Sequence, residues 1–325
     1  MTSPRPWTSR SSLLAGDLTD RDIRQAQRRG ELHRFRPGRY ADGDRWDRAD
    51  GAARHRIRAL EIGDWLGERA VISHTSAATV LGISLPRVEF GRVHATWPSA
   101  AGRGRTTNIN PHRSRLRDVD IAVVDGVLTT SPARTVFDIA RSLPWEYGIA
   151  AADSVLHLGM CTSDDLFDAL EAAARTPGAG RAARIIEFAD AGSESVGESI
   201  CRLRFAQVGL PAPRLQAAIG LADGTHARVD FDFDGYATVG EFDGQVKYGR
   251  LLKPGQDPGD VVFAEKVRED RIRDTDRQCV RFIWRDFGHR ASILSRTASA
   301  FARAGHKEWT REPPRFMEPG RLLRV

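Results

Sequence analysis

Residues 228–233, RVDFDF, and residues 240–247, GEFDGQVK, decide how the second half of this 325-residue chain is read. In an extended strand successive side chains alternate, so Asp230 and Asp232 share one face and Val229, Phe231 and Phe233 the other. In the second stretch Glu241 and Asp243 share a face, with Phe242 opposed to them. The apolar side faces a core. Carboxylates set across a hairpin repel one another. A divalent cation relieves that repulsion, and hard oxygen donors from neighbouring strands are the ligands Mg²⁺ takes, with Mn²⁺ as its stand-in. Asp230 and Glu241 are the expected metal ligands and Asp243 a third ligand or water contact.

Lys247 follows four residues after Asp243. Of 49 basic side chains 45 are Arg, so a Lys beside the carboxylates is more informative than it would be in a Lys-rich chain. A compact ammonium there can orient a water or offset charge on a phosphate in the transition state.

Outward from this pair, RAARIIEFAD and SESVGESICRLRFAQVG read as helices before the sheet, and PRLQAAIGL as its first strand. VVFAEKVREDRIRDTDRQ, CVRFIW and about 286–304 read as helix, buried strand and helix after it. TPGAG at 176–180 is the best linker. Between 61 and 175 the chain is mixed: AVISHTSAATVLGI looks like a strand entering a helix, VHATW and VDIAVV like strands, and AGRGRTTNINPHRSRLR like the loop between them. Ser131-Pro132 marks a helix start. His74, His94, His112 and His157 stand on separate elements without ligand spacing and read as hydrogen-bonded or solvated histidines.

The first sixty residues hold 14 Arg against 8 Asp and Glu, which accounts for the whole net charge of +6. A cap at Thr19 or Asp20, a helix ending near Gly30, and the hairpin ELHRFRPGRYA follow in the order of a winged helix-turn-helix. Arg21, Arg24 and Arg28 recur on one helix face, and Arg34, Arg36 and Arg39 surround the hairpin tip; such a surface can neutralise DNA phosphates. An Arg-rich chain also solvates ordinary helices with arginine.

Composition excludes several classes. The 41% hydrophobic content supports packed cores. No uncharged apolar run approaches the roughly 20 residues that span a bilayer, and no membrane partner is expected. Three scattered cysteines without a CxxC pair fit reduced thiols in a cytoplasmic protein.

The ordered set of Glu198 in ESI, LPAPRLQ, RVDFDF, GEFDGQVK, EKVREDRIR and VRFIW resembles the PD-(D/E)xK nuclease superfamily over about 185–300, closest to the domain related to very-short-patch mismatch-repair endonucleases. That resemblance implies Asp230 and Glu241 on Mg²⁺, Lys247 as the catalytic basic residue and Glu198 as an auxiliary acid. Asp243 stands where the family's usual form has Lys, so the site is either migrated or decayed. Glu194, Glu198 and Arg202 could equally be a stripe of intrahelical ion pairs. The front half, RRGELHRFRPGRYA with SHTSAATVLGI and TSPARTVFDIA, is similar to AbiEi-type antitoxins and transcriptional regulators over about 10–175, which implies DNA binding without catalysis.

The expected architecture is a multi-domain α/β chain: a winged helix at 1–60, a mixed AbiEi-like region at 61–175, a nuclease-like α/β core at 181–305 and a basic tail at 306–325. The leading expectation is a DNA-binding protein with a Mg²⁺-dependent endonuclease domain. The rival is an AbiEi-like regulator or antitoxin whose nuclease-like domain no longer cuts, partnered by a toxin or a second copy of itself.

Overall fold

The computed structural model describes residues 5–88, 90–98, 108–244, 267–306 and 309. The chain is a mixed α/β protein of several sheets, packed as two compact units: Met1–Leu143 with Cys161–Ala179, and Pro144–Met160 with Gly180–Val325.

In the first unit, strand β1 (Thr8–Ser9) leads into helix Arg10–Ala15, a turn and helix Asp20–Arg28. Strands β2 (Leu32–Arg36) and β3 (Arg39–Asp42) form an antiparallel hairpin, and β1 joins it in the order β1-β3-β2. Thr19 closes a reciprocal capping box with Asp22, and Gly30 at φ +76° supplies the left-handed stop that the sequence calls for. His33 and Phe35 both stack on buried Trp46, at 4.5 and 5.4 Å, so the other parity of β2 turns Arg34 away from this core.

Helix Gly51–Leu66 then packs on a five-stranded sheet of order β6-β5-β4-β8-β7: β4 is Val71–Ile72, β5 Val93–Trp97, β6 Ile109–Arg113, β7 Ile121–Val124 and β8 Val127–Thr130. The fit is close: a Cβ on Gly63 would lie 2.1 Å from Val127 Cγ1. Helices His74–Leu81, Pro132–Ser142 and Ser163–Ala172 complete this unit, and Ser131 Oγ accepts from Arg134 N as the Ser-Pro start requires. Strand β6 lies within the stretch that reads as a loop from sequence. INPHR is polar and contains Pro111, which an edge strand tolerates because one side of its backbone needs no ladder partner.

In the second unit, helices Trp145–His157, Ala179–Phe188 and Val196–Val208 precede β9 (Arg214–Gly220), β10 (His226–Phe233) and β11 (Thr238–Asp243). These three strands form an antiparallel meander, and β12 (Gln278–Ile283) pairs with β11 in parallel. Residues 267–273 are helical, and helix Arg290–Arg303 closes the unit. Phe205, Phe231, Phe233, Phe282 and Phe301 are buried together, as the alternation of RVDFDF requires. No helix among the described residues is long and apolar enough to cross a membrane.

Candidate functional site

Helix Asp20–Arg28 buries only Ile23 and leaves Arg21, Arg24 and Arg28 exposed. Arg34 on β2 is exposed as well. None of these four guanidiniums makes an ion pair among the described residues. Arg36 and Arg39 differ: Arg36 Nη1 donates to Glu61 Oε2 at 2.8 Å and Arg39 Nε to Glu61 Oε1 at 2.9 Å. Glu61 is buried, so these two arginines are committed to neutralising it, and the basic hairpin cluster is split.

Asp230, Glu241 and Asp243 line a polar cavity of about 300 Å³, together with Glu194, Gln216, Arg228, Phe242, Arg268 and Arg281. Continuing the pairing Phe231↔Gly240 sets Asp230 level with Glu241. Asp230 Oδ2 accepts from the backbone N–H of Phe242 at 2.8 Å, occupying the place of a ladder carbonyl. Glu241 accepts from Arg268, and Asp243 Oδ2 lies 3.4 Å from Arg281 Nη1. Arg281 stands directly across from Glu241 in the parallel β11–β12 register, an opposite-charge cross-strand pair. Burial pushes the Glu241 carboxyl above its ordinary pKa, Arg268 opposes that shift and Asp230 adds to it. Asp232, on the same parity as Asp230, is fully buried between Arg214 Nη2 at 2.5 Å and Arg277 Nη1 at 2.9 Å.

Glu198 lies in the first turn of helix Val196–Val208, where it accepts from Ser195 Oγ at 2.6 Å, Glu194 N at 3.0 Å and Gln216 Nε2 at 2.8 Å. Burial is the main cause that raises its pKa. The supposed Glu194–Glu198–Arg202 stripe is not an intrahelical ion ladder. Glu194 precedes the helix and pairs with Arg228, while Arg202 donates to Asp153 Oδ2 at 2.7 Å and to the Phe188 carbonyl at 2.7 Å. On the helical stretch 267–273, Arg268 enters the cavity, Arg271 pairs with Asp223, and Arg273 with Glu269 and Asp270.

The donors have the hardness Mg²⁺ requires, and in this structure each already has a partner of its own. Among the described residues, Asp230, Glu241 and Asp243 do not converge as an ion-holding group; guanidiniums and a backbone N–H occupy their oxygens. Lys247, the expected catalytic basic residue, and most of the basic tail lie outside the described residues.

Three histidines that look unrelated in sequence do converge. His74, His94 and His112 each offer a ligand atom within 4.8 Å of the others. Burial is the leading cause holding all three below the ordinary imidazole pKa, His112 down to about 4. The signal for this cluster is the two-residue spacing of VHATW and INPHR, which becomes meaningful only once the two segments are known to pair.

The chain is thus a mixed α/β, multi-domain protein with an exposed arginine face in its first unit and an arginine-lined acidic cavity in its second. Residues 70–188 match the AbiEi antitoxin C-terminal domain family. The chain is 29% identical over 191 residues to two uncharacterized proteins of Mycobacterium tuberculosis, MT2308 of strain CDC 1551 and Rv2248 of strain H37Rv; the match covers 58% of this chain and 67% of each relative. The crystal structure of the RV2827C protein from Mycobacterium tuberculosis aligns with a TM-score of 0.37 and 20% identity, over 56% of this chain and 71% of that one.

Proposed function

We propose that this chain is a DNA-binding regulator of the AbiEi antitoxin kind, which holds the duplex with helix Asp20–Arg28 and the β2 arm of the hairpin. The observation that carries this reading is the division among the arginines: Arg21, Arg24, Arg28 and Arg34 are exposed and free of ion pairs among the described residues, whereas Arg36 and Arg39 are spent on Glu61. Four exposed guanidiniums on the second helix of a helix-turn-helix and on its wing match the phosphate-contacting role of that module. The family match at 70–188 supports the same reading and adds a toxin as a further proposed partner. The acidic cavity is then a structural polar cluster, with Arg268 and Arg281 in the role the sequence assigns to a metal.

Fluorescence anisotropy on a labelled duplex, run from about 50 to 300 mM salt, tests the interface. The triple variant Arg21→Ala/Arg24→Ala/Arg28→Ala is expected to bind about 100-fold more weakly at 100 mM salt and to lower the log–log salt slope by about 2 to 3. An unchanged slope would remove this face from the interface.

For the acidic cavity, wild type and Asp230→Asn incubated with plasmid in Mg²⁺ or Mn²⁺ are expected to leave it equally intact. Nicking by the wild type that Asp230→Asn abolishes would restore the endonuclease reading.

A further inference from the structure

We propose that His74, His94 and His112 form a three-imidazole site for a borderline divalent cation of the Zn²⁺ class on the five-stranded sheet of the first unit, with His74 buried and the other two half-buried. The parallel register of β5 and β6 sets His94 opposite Asn110 and Thr96 opposite His112. All four side chains therefore share one face of the sheet. His74, at the start of helix His74–Leu81, is placed over that face: its ring stacks on His112 at 3.7 Å between centroids and lies 5.6 Å from His94.

Donor spacing is right for one ion. Bonds of 2.0–2.1 Å at tetrahedral angles put nitrogen donors about 3.3 Å apart. Here His94 Nδ1 and His112 Nε2 share a hydrogen bond at 2.9 Å and all three donors fall within 4.8 Å, so a cation would take the place of the proton between the two rings, releasing it, as the rings turn to face the ion. Three neutral imidazoles select Zn²⁺ and its neighbours over Mg²⁺, and leave a fourth position for water.

The surroundings orient the rings as outer partners of a metal do. Arg141 Nη2 lies 3.4 Å from His74 Nε2 and is a donor only, so Nε2 carries the lone pair and the proton sits on Nδ1, 3.0 Å from Ser73 Oγ. Thr96 Oγ1 donates to that same Ser73 oxygen at 2.8 Å. Asn110 Nδ2 is 3.3 Å from His94 Nε2, and its amide can present either N–H or oxygen as the ring's tautomer requires. His94 N donates to Ser76 Oγ at 2.9 Å. The long Arg141 contact is the one a cation would replace; Arg141 keeps its bond to buried Asp138 at 3.0 Å, and that carboxylate offsets part of the added charge.

Backbone strain points the same way. His74 has φ +53°, a left-handed conformation uncommon outside glycine, and its ring is 2% exposed. Strain of this kind collects where a side chain must be held in one direction for a ligand.

The test is titration of the full-length chain, stripped with chelator and dialysed, with Co²⁺ followed by Zn²⁺. One equivalent of Co²⁺ is expected to give the visible d–d bands of a tetrahedral site, which one equivalent of Zn²⁺ bleaches. His112→Ala should weaken Co²⁺ binding by about 100-fold or more, and Ser73→Ala, which removes the oxygen shared by His74 and Thr96 but no ligand atom, by about 10-fold. Asp230→Asn/Glu241→Gln should leave the spectrum unchanged, which separates this site from the acidic cavity. Circular dichroism reports whether each variant is folded. Folded wild-type protein that takes up no Co²⁺ at micromolar concentration overturns the proposal, as does a spectrum that a folded His112→Ala variant retains.

Discussion

Replacing Arg134 with Met is expected to cost about 3–5 kcal/mol of stability, the range for stripping a buried charge of its partner. Arg134 is 2% exposed, and the whole guanidinium is occupied. Nε donates to Asp138 Oδ2 at 3.1 Å, Nη1 to the Arg115 carbonyl at 3.2 Å, and Nη2 to Ser114 Oγ at 2.6 Å; Asp120 Oδ2 lies 3.5 Å from Nη1. Asp138 and Asp120 are buried as well. Met preserves the volume of the stem and none of the charge, so two carboxylates would be left in a low-dielectric interior with only Arg141 and Arg117 to hold them. Differential scanning calorimetry should show the affected transition roughly 10 °C lower. The double variant Arg134→Met/Asp138→Leu should recover about half of that loss, because it removes both members of the closest pair. A single-variant loss below about 1 kcal/mol would mean that water reaches this cluster and that it is not a buried network.

The same contrast between pairs and patterns explains what was legible in the sequence. The alternation of RVDFDF located β10 and its phenylalanine face, and ELHRFRPGRYA located the hairpin with His33 and Phe35 on one side, because strand parity is a local property. The ionic partners were not legible, because they come from elsewhere in the chain. Glu241 is readable as a carboxylate in need of a cation; that Arg268 pairs with it depends on the helix that follows, and that Arg281 stands across from it depends on a parallel pairing with a strand forty residues on. A hint is present in CVRFIW, where an arginine interrupts an apolar strand and meets half-buried carboxylates on its neighbours. The wing arginines form one group in sequence, yet Glu61, a helix away, divides them.

Long-range pairing also decided the histidines. His94 and His112 sit 18 residues apart, and INPHR resembles a loop by composition, so nothing local sets them on one face. Only the β5–β6 register does so, and only the covering helix adds His74.

Buried histidine should also make the chain acid-sensitive, and His55 is where the effect can be isolated. It lies on helix Gly51–Leu66 at 1% exposure, its Nε2 is 2.7 Å from Ser76 Oγ, its ring stacks on Phe90, and its Nδ1 has no hydrogen-bond partner among the described residues. Burial is the main cause that lowers its pKa to about 4, with His94 and Arg58 adding to it. The folded pKa is thus depressed below the unfolded value of about 6.5, and folding favours the neutral ring. The contribution to stability is complete above pH 6.5 and is lost as pH falls toward 4, where the unfolded chain takes up a proton that the folded chain refuses. The slope attributable to this one group approaches about 1.4 kcal/mol per pH unit, or about 3 kcal/mol across the window. His55→Gln keeps a hydrogen-bonding group for Ser76 and cannot titrate. Urea midpoints measured between pH 7 and 4.5 should therefore fall less steeply for His55→Gln than for wild type, by about one proton's worth of slope. His74, His94 and His112 act with the same sign and keep some slope in the variant. Parallel curves for variant and wild type would show that His55 is reached by solvent and titrates alike in both states.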